Sequence, residues 1–99
     1  MKKKQTVGPE KFSKTSKFLK VVSEENRLKI LLALKGGAMN VTQIHNKLKL
    51  PQNLTSHHIS KLKEVGLLNE KHEGTFRNYG LNSKKLKEFS KIFNDLLGI

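Results

Sequence analysis

Apolar residues at three- and four-residue spacing predict two helices in the first third of the chain. The first is expected over Lys11–Val22. Its apolar positions are Phe12, Phe18, Leu19, Val21 and Val22. We expect Ser23 to cap the second helix, because Glu24 and Glu25 then place negative charge in its first turn, where the helix dipole favours it. A Gly-Gly pair at 36–37 is expected to end it.

The middle of the chain has the pattern of two short helices separated by a tight turn. Asn40 and Gln43 match a capping box and predict a helix through Leu48. The Leu50-Pro51 step interrupts it, because proline disfavours helical geometry in the preceding residue yet suits a first helical position. A further helix is expected over Pro51–Val65, and two such helices form a helix-turn-helix.

Beyond Gly66 the periodicity changes from helical to extended. Leu67–Glu73 and Phe76–Asn82 are predicted to be two strands of a hairpin that turns at Gly74. A last helix is expected from Ser83, again with apolar residues three or four positions apart. They are Leu86, Phe89, Phe93 and Leu96. The predicted fold is therefore mainly α with a small β-hairpin.

Length and charge narrow the possible function classes. Ninety-nine residues suit one domain. Lys and Arg number 20 against 8 acidic residues, and the resulting net charge of +12 attracts polyanions, above all nucleic acid. The absence of cysteine excludes disulfides and thiolate chemistry. The longest apolar run, residues 30–34, is too short to span a membrane, so we expect a soluble cytoplasmic protein.

Residues 1–10 contain three consecutive lysines, Lys2 to Lys4, and almost nothing to bury. We expect them to form a flexible basic tail ahead of a domain over residues 11–99. Such a tail is either a solvated leader or an arm that touches nucleic-acid backbone, and the sequence leaves both open.

The helix expected over Pro51–Val65 has two chemically different sides at about 100° per residue. The inner side contains Thr55, His58, Ile59, Leu62 and Val65. The outer side contains Asn53, Ser56, His57 and Ser60. Small polar side chains suit the reading of base edges, since asparagine can pair bidentately with adenine. Lys61 and Lys63 flank this side, where they could approach phosphates.

Together these segments resemble the ArsR (arsenical-resistance repressor) type of winged-helix transcription regulator over residues 18–97. The resemblance rests on LKVVSEENRLKILLAL, on MNVTQIHNKLKLPQNLTSHHISKLKEVGLL and on the wing EKHEGTFRNYGLN, with its Glu-Gly turn and Tyr79-Gly80-Leu81. It implies a winged helix-turn-helix fold. It also implies a homodimeric, sequence-specific DNA-binding regulator that acts as a repressor.

The resemblance also implies roles for individual residues. Family members dimerise through their first and last helices, which here assigns the interface to Phe12, Leu19, Leu86, Phe89, Phe93 and Leu96. They bind pseudo-palindromic double-stranded DNA with one recognition helix per half-site. The expected DNA-contacting residues are Thr42, Gln52, Asn53, Ser56, His57, Ser60, Lys61, Lys71 and Arg77. For the two wing residues, Lys71 and Arg77, an exposed charge without a DNA contact is an equal alternative.

The sequence departs from the family where many members bind metals. Those members use cysteines near the equivalents of Ala38 to Val41, or Asp and His ligands on the last helix. In the first of these segments this chain has GGAMNV, and in the last helix the only one of these potential ligands is Asp95. Because borderline metals need sulfur or nitrogen donors, we expect no metal site and no cofactor, and the effector stays open. Lys49 stands where a glycine often ends the supporting helix, so that turn is expected to be either slightly strained or differently shaped.

The four histidines have different expected roles. His58 lies on the inner side of its helix and is expected to pack there with a hydrogen bond, whereas His57 points about 100° away, toward DNA. This divergence argues against joint chelation within one subunit. His45 is expected to pack or to lie on the surface, and His72 lies in the wing.

Two other function classes stay open at this point. A non-specific DNA- or RNA-binding architectural protein needs the positive charge but reads no bases, and a winged-helix protein-interaction module needs no nucleic acid. The polar, nearly uncharged outer side of the helix favours sequence-specific binding. An enzyme is disfavoured, because neither a Gly-rich phosphate loop nor a Ser-His-Asp spacing stands out.

Overall fold

Residues 8–99 are the part of the chain that the computed structural model describes, and they form five α-helices and one small sheet. The helices are α1 (Pro9–Val22), α2 (Glu25–Ala33), α3 (Val41–Leu48), α4 (Gln52–Glu64) and α5 (Ser83–Leu97). The strands are β1 (Met39–Asn40), β2 (Leu68–Glu73) and β3 (Phe76–Leu81), and a 3-10 turn, Leu34–Gly36, follows α2. The winged helix-turn-helix is thereby confirmed, with α3 and α4 as its two helices and the β2–β3 hairpin as its wing. No helix in this range has the length and apolar content needed to cross a membrane.

The first helix begins two residues before its predicted start at Lys11. Pro9 occupies the first turn of α1, where its missing N–H costs nothing. Pro9 and Glu10 therefore belong to a helix, and the expected tail over residues 1–10 is wrong at that boundary. The rest of that tail, residues 1–7, lies outside the described residues.

The cap of α2 is Glu24, where the sequence predicts Ser23. The Oε1 atom of Glu24 accepts hydrogen bonds from the N–H groups of Asn26 at 2.7 Å and Arg27 at 3.1 Å. Ser23 instead ends α1, since its N–H donates to the carbonyl oxygen of Leu19 at 3.0 Å. A carboxylate at this place satisfies two free helix donors and also meets the positive end of the helix dipole.

The sheet of the described chain has three strands, where the periodicity predicts two. β1 pairs antiparallel with β3, with Met39 opposite Tyr79 and Asn40 opposite Asn78, and the strand order is β1-β3-β2. The expected extended link at Ala38-Met39 thus leads into a sheet strand, and two residues are too few to show a period of two. The wing turns at Gly74, whose φ of 63° is a left-handed conformation that glycine adopts without steric cost.

The predicted capping box at the start of α3 is present. The N–H of Gln43 donates to Oδ1 of Asn40 at 2.8 Å, and the N–H of Asn40 donates to Oε1 of Gln43 at 2.9 Å. At the other end Lys49 adopts φ 56° and ψ 44°, so the strain expected there without a glycine is present. Such a conformation costs a non-glycine residue about 1–2 kcal/mol. The N–H of Leu50 donates to the carbonyl oxygen of His45 at 3.1 Å and closes the turn into α4.

One hydrophobic core joins the helix-turn-helix to the other helices and the wing. Its buried members are Val21, Ile30, Leu34, Ile44, Ile59, Leu62, Leu67, Leu68, Tyr79 and Phe89. Ile59 and Leu62 attach α4 to this core, and burying a side chain of that size stabilises by about 1.5–3 kcal/mol. The orientation of α4, and hence of its outer side, is therefore set by packing.

Candidate nucleic-acid interface

The two predicted sides of α4 are confirmed by burial. Its buried residues are Thr55, His58, Ile59 and Leu62. Its exposed polar residues are Gln52, Asn53, Ser56, His57 and Ser60. Val65, expected on the inner side, follows the end of α4 and is half-buried. The N-terminal half of α4 therefore presents a surface of amide, hydroxyl and imidazole groups, which can both donate and accept hydrogen bonds.

His58 holds the buried side of α4 against α2, as its expected packing role requires. Only 5% of the residue is exposed, and its Nδ1 accepts a hydrogen bond from Nε of Arg27 at 3.1 Å. Its Nε2 lies 3.9 Å from Oε1 of Glu24. Burial lowers the pKa of His58, and the neighbouring Arg27 lowers it further, while Glu24 opposes both. The neutral imidazole is therefore the form that fits this position.

A groove of about 490 Å³ separates α4 from the wing, and we call it the α4–wing groove. It is lined by Asn40, Val41, Thr42, Ser56, Ile59, Ser60, Lys63, Thr75, Phe76, Arg77 and Tyr79. Four residues expected to contact DNA meet here from three different elements. They are Thr42, Ser56, Ser60 and Arg77. Hydroxyl groups and two cationic side chains along one groove can hold phosphate oxygens of a nucleic-acid backbone.

The other expected contact residues lie outside this groove. Gln52, Asn53 and His57 lie on the exposed side of α4 without lining it. Lys61 lies 3.8 Å from the carboxylate of Glu64 on its own helix.

The two basic wing residues lie on opposite faces of the hairpin. Arg77 stands opposite His72 and Lys71 opposite Asn78, so their side chains alternate. Arg77 lines the groove, whereas Lys71 pairs with Glu73 at 3.8 Å. Register therefore places the two expected wing contacts on different faces, and which of them meets DNA stays a prediction.

Glu70 is a residue that the sequence reasoning missed. Its carboxylate contacts Lys63 of α4, lies 3.0 Å from Nε2 of His72, and lies 3.5 Å from Nε of Arg77. The hydrogen bond from Lys63 is the main cause of the lowered pKa of Glu70, and the neighbouring His72 and Arg77 add to it. The two-residue spacing of Glu70 and His72 along one strand could have indicated that their side chains share a face of the wing. The contacts of Glu70 with Arg77 and Lys63 could not be predicted in this way, because they join different elements of the fold.

A second groove, of about 710 Å³, runs between α1 and α5, and we call it the α1–α5 face. Its lining residues are Phe12, Thr15, Ser16, Leu19, Lys20, Ser23, Phe93, Leu96 and Leu97. Phe12 and Leu97 are 63% and 60% exposed, which is a large apolar surface for so small a domain. Four of the expected interface residues, Phe12, Leu19, Phe93 and Leu96, lie on this face.

Two expected interface residues lie elsewhere. Phe89 is buried in the core, where its ring stacks on Phe18 with centroids 4.4 Å apart. Leu86 is half-buried and packs against the same core. The apolar stripe of α5 therefore divides along its length. Phe89 is corrected to a core position, whereas Leu86 packs at the edge of the core and its interface role stays a prediction.

Among residues 8–99 no group of three or more His, Asp or Glu side chains could hold a metal ion. The histidines are spread over α3, α4 and β2. His45 is half-buried, with its Nδ1 3.2 Å from the carbonyl oxygen of Leu50, so it packs at the turn between α3 and α4.

In a comparison with known protein families, residues 24–70 match the sequence model of the family described as "Bacterial regulatory protein, arsR family". An uncharacterized HTH-type transcriptional regulator of Methanocaldococcus jannaschii is 35% identical over 88% of this chain and 99% of its own length. The transcriptional repressor PagR of Bacillus anthracis is 35% identical over 82% of each chain. A homodimeric winged helix-turn-helix DNA-binding domain of a possible ArsR-family regulator from Mycobacterium bovis shares the fold. Its TM-score is 0.76 at 22% identity, over 93% of this chain and 86% of that one.

Proposed function

Since the chain belongs to the arsR family of bacterial regulatory proteins, it is a DNA-binding transcription regulator and not an enzyme, and we propose that it is a dimeric, sequence-specific repressor. The observation that carries the proposal is the exposed polar side of α4 next to a groove lined by hydroxyls and cations. A protein that only coated nucleic acid would need the charge but not an uncharged surface on its central helix.

We assign base reading to Asn53, Ser56 and His57. All three are exposed on the N-terminal half of α4, and their side chains carry the donors and acceptors that base edges in a major groove require. Gln52 stands at the first position of α4, where no side chain caps the helix at Pro51. The N–H of Leu54 donates to Oδ1 of Asn53 at 2.9 Å, which leaves the N–H groups of Gln52 and Asn53 at this helix start to favour a phosphate, so Gln52 is assigned to the DNA backbone.

We assign backbone holding to the α4–wing groove. Thr42 and Ser60 supply hydroxyls from α3 and α4, and Lys63 and Arg77 supply positive charge from its two sides. Contacts of this kind fix the register of a protein on a duplex without reading sequence. In this assignment α4 supplies specificity and the groove supplies most of the affinity.

We assign the α1–α5 face to a second copy of the chain. Phe12, Leu19, Phe93 and Leu97 are all more than a third exposed on it, and covering them would remove apolar surface from water. A two-fold axis there would repeat α4 on the partner, and dimers of helix-turn-helix proteins read half-sites about 34–36 Å apart. The structural relative from Mycobacterium bovis is itself described as homodimeric.

The test is selection of bound fragments from random double-stranded DNA with the full chain. A palindromic consensus is the expected result, because a symmetric dimer presents the same helix to each half-site. The selected site should bind roughly 10³-fold or more tightly than its scrambled version at physiological salt.

Two other outcomes would decide for the alternatives. Equal affinity for selected and scrambled duplexes would favour a non-specific DNA- or RNA-binding architectural protein. Failure to retain any nucleic acid at low salt would favour a protein-interaction module.

A further inference from the structure

Glu70 connects α4 to both strands of the wing through its carboxylate. Oε1 contacts Nζ of Lys63 on α4, while Oε2 lies 3.0 Å from Nε2 of His72 on β2 and 3.5 Å from Nε of Arg77 on β3. The side chain of Glu70 is only 18% exposed, whereas those of His72 and Arg77 are about 60% exposed. One largely covered carboxylate therefore holds a lysine, an arginine and a histidine, and the last two are largely exposed to solvent.

Sheet register explains why these groups converge. Glu70 stands opposite Tyr79 and His72 stands opposite Arg77, so all four side chains lie on one face of the wing. That face looks toward the end of α4, where Nζ of Lys63 lies 5.8 Å from the centre of the Tyr79 ring. Lys63 is thus held by a carboxylate and by an aromatic ring at once.

Lys63 and Arg77 are also the two cations that line the α4–wing groove. Both have flexible side chains that would otherwise sample many rotamers, and their like charges would drive them apart. Their shared contact with Glu70 restricts both motions. It also neutralises part of the charge that each could offer to a phosphate.

We propose that Glu70 is a positioning residue for DNA recognition, which fixes Lys63 and Arg77 on the two sides of the groove and restrains their attraction for phosphates in other geometries. The inference rests on the proposed function, since it assigns a role within the same interface. Its consequence is that Glu70 lowers affinity for DNA in general and raises the preference for the operator.

The salt dependence of binding follows from the same argument. A cation already paired with a protein carboxylate displaces fewer counterions from DNA than a free one, and each freed contact steepens the log–log salt slope by roughly 0.9. Non-specific binding is almost entirely electrostatic, so it gains most when the carboxylate is removed. The affinity for the operator should rise less when the carboxylate is removed, because Lys63 and Arg77 are then mobile and are no longer fixed in the geometry that matches the operator's phosphate backbone.

The experiment compares Glu70→Gln with wild type on scrambled and operator duplexes across several salt concentrations. We expect tighter binding to scrambled DNA, a slope steeper by roughly 0.9 to 1.8, and a smaller ratio of operator to scrambled affinity. Glu88→Gln is the matched control, because Glu88 lies on α5, pairs with Lys85 at 3.4 Å and makes the same change in net charge. It should reproduce only the small general effect of one added positive charge.

Two further variants test the mechanism. Glu70→Asp keeps the charge, so it should return the salt slope to nearly the wild-type value. Lys63→Gln should flatten the slope on scrambled DNA more in the Glu70→Gln background than in the wild-type background, since only there is Lys63 free. Thermal melting of each variant establishes that the compared proteins are folded. If Glu70→Gln is not folded, Glu70→Ala takes its place in both comparisons.

The proposal is overturned if Glu70→Gln matches Glu88→Gln in both slope and affinity ratio, or if Lys63→Gln has the same effect in both backgrounds. Failure of the proposed function is a separate outcome. If wild type has no preferred site, the ratio is undefined, but the slopes on scrambled DNA still report whether Glu70 restrains the two cations.

Discussion

Arg27 donates a hydrogen bond from Nε to Nδ1 of His58 at 3.1 Å, and this bond joins α2 to the buried side of α4. Glu24 contacts both residues. Its Oε1 accepts a hydrogen bond from the backbone N–H of Arg27 and lies 3.9 Å from Nε2 of His58. The helix proposed to read DNA is therefore oriented from behind by a neutral histidine. Protonation of Nδ1 would remove the acceptor and place a second positive charge beside the guanidinium.

Stability should consequently depend on the protonation of His58. Burial lowers its pKa in the folded state, while the pKa of a histidine in the unfolded chain is about 6.5. The unfolded chain then binds the proton more tightly than the folded chain does. The contribution of neutral His58 to the free energy of unfolding is therefore complete above about pH 6.5 and is lost as the pH falls through the folded-state pKa. The free energy of unfolding, measured in urea, should fall between about pH 7 and pH 5.

His58→Gln should reduce this pH dependence, because glutamine can accept from Arg27 but does not titrate. His57→Gln is the matched control, since His57 is the exposed neighbour on the same helix. The pKa values of the Glu24 and Glu70 carboxyls are also lowered in the folded state. Their contributions to the free energy of unfolding are therefore lost only at pH values below the usual range of carboxyl pKa values. An unchanged slope in His58→Gln would contradict this prediction.

Replacing the proposed base-reading residues should reduce specificity. Asn53→Ala or His57→Ala should lower binding to the selected operator by about 1–3 kcal/mol, the usual cost of a lost base contact, and leave scrambled DNA nearly unaffected. Fluorescence anisotropy on both duplexes measures the difference. Equal losses on the two duplexes would mean that α4 does not read bases, and the architectural alternative would then be preferred.

Replacing a groove cation should instead reduce affinity for every duplex. Arg77→Gln should weaken binding to both operator and scrambled DNA and flatten the log–log salt slope by up to roughly 0.9. Lys71→Gln removes the same charge from the opposite face of the wing, where Lys71 pairs with Glu73. A larger effect of Lys71→Gln than of Arg77→Gln would show that the wing approaches DNA with its other face.

Charge placed on the α1–α5 face should separate the subunits. Phe93→Asp should yield monomers in analytical ultracentrifugation and should weaken operator binding, because a buried carboxylate without a partner is costly. Leu32→Asp is a suitable control, since Leu32 is 59% exposed on α2 and does not line this face. A wild-type protein that is monomeric at micromolar concentration would contradict the proposed dimer.

Metal ions should not release the protein from its operator. Within residues 8–99 no three potential ligand side chains come together, and the chain has no cysteine to supply a thiolate. Titration of zinc, nickel, cadmium or arsenite into a preformed complex should therefore leave binding unchanged. Stoichiometric release at low ion concentration would point instead to a site that uses His45, His57, His58 or His72.

The amino-acid sequence by itself determined the features that depend on neighbours within about four residues. The Asn40–Gln43 capping box, the turn at Gly74 and the two sides of α4 can all be predicted because their interactions are local. The order of helices and wing follows from the same local periodicities.

Tertiary structure decided what depends on register and packing. Whether Phe89 is buried while Phe93 stays exposed depends on where α5 meets α1, since both belong to one apolar stripe. The pairing of β1 with β3 joins segments almost forty residues apart, beyond the reach of any local pattern. The Glu70 contacts arise in the same way, because only the alignment of β2 with β3 and the packing of α4 against the wing bring one carboxylate to Lys63 and Arg77 together.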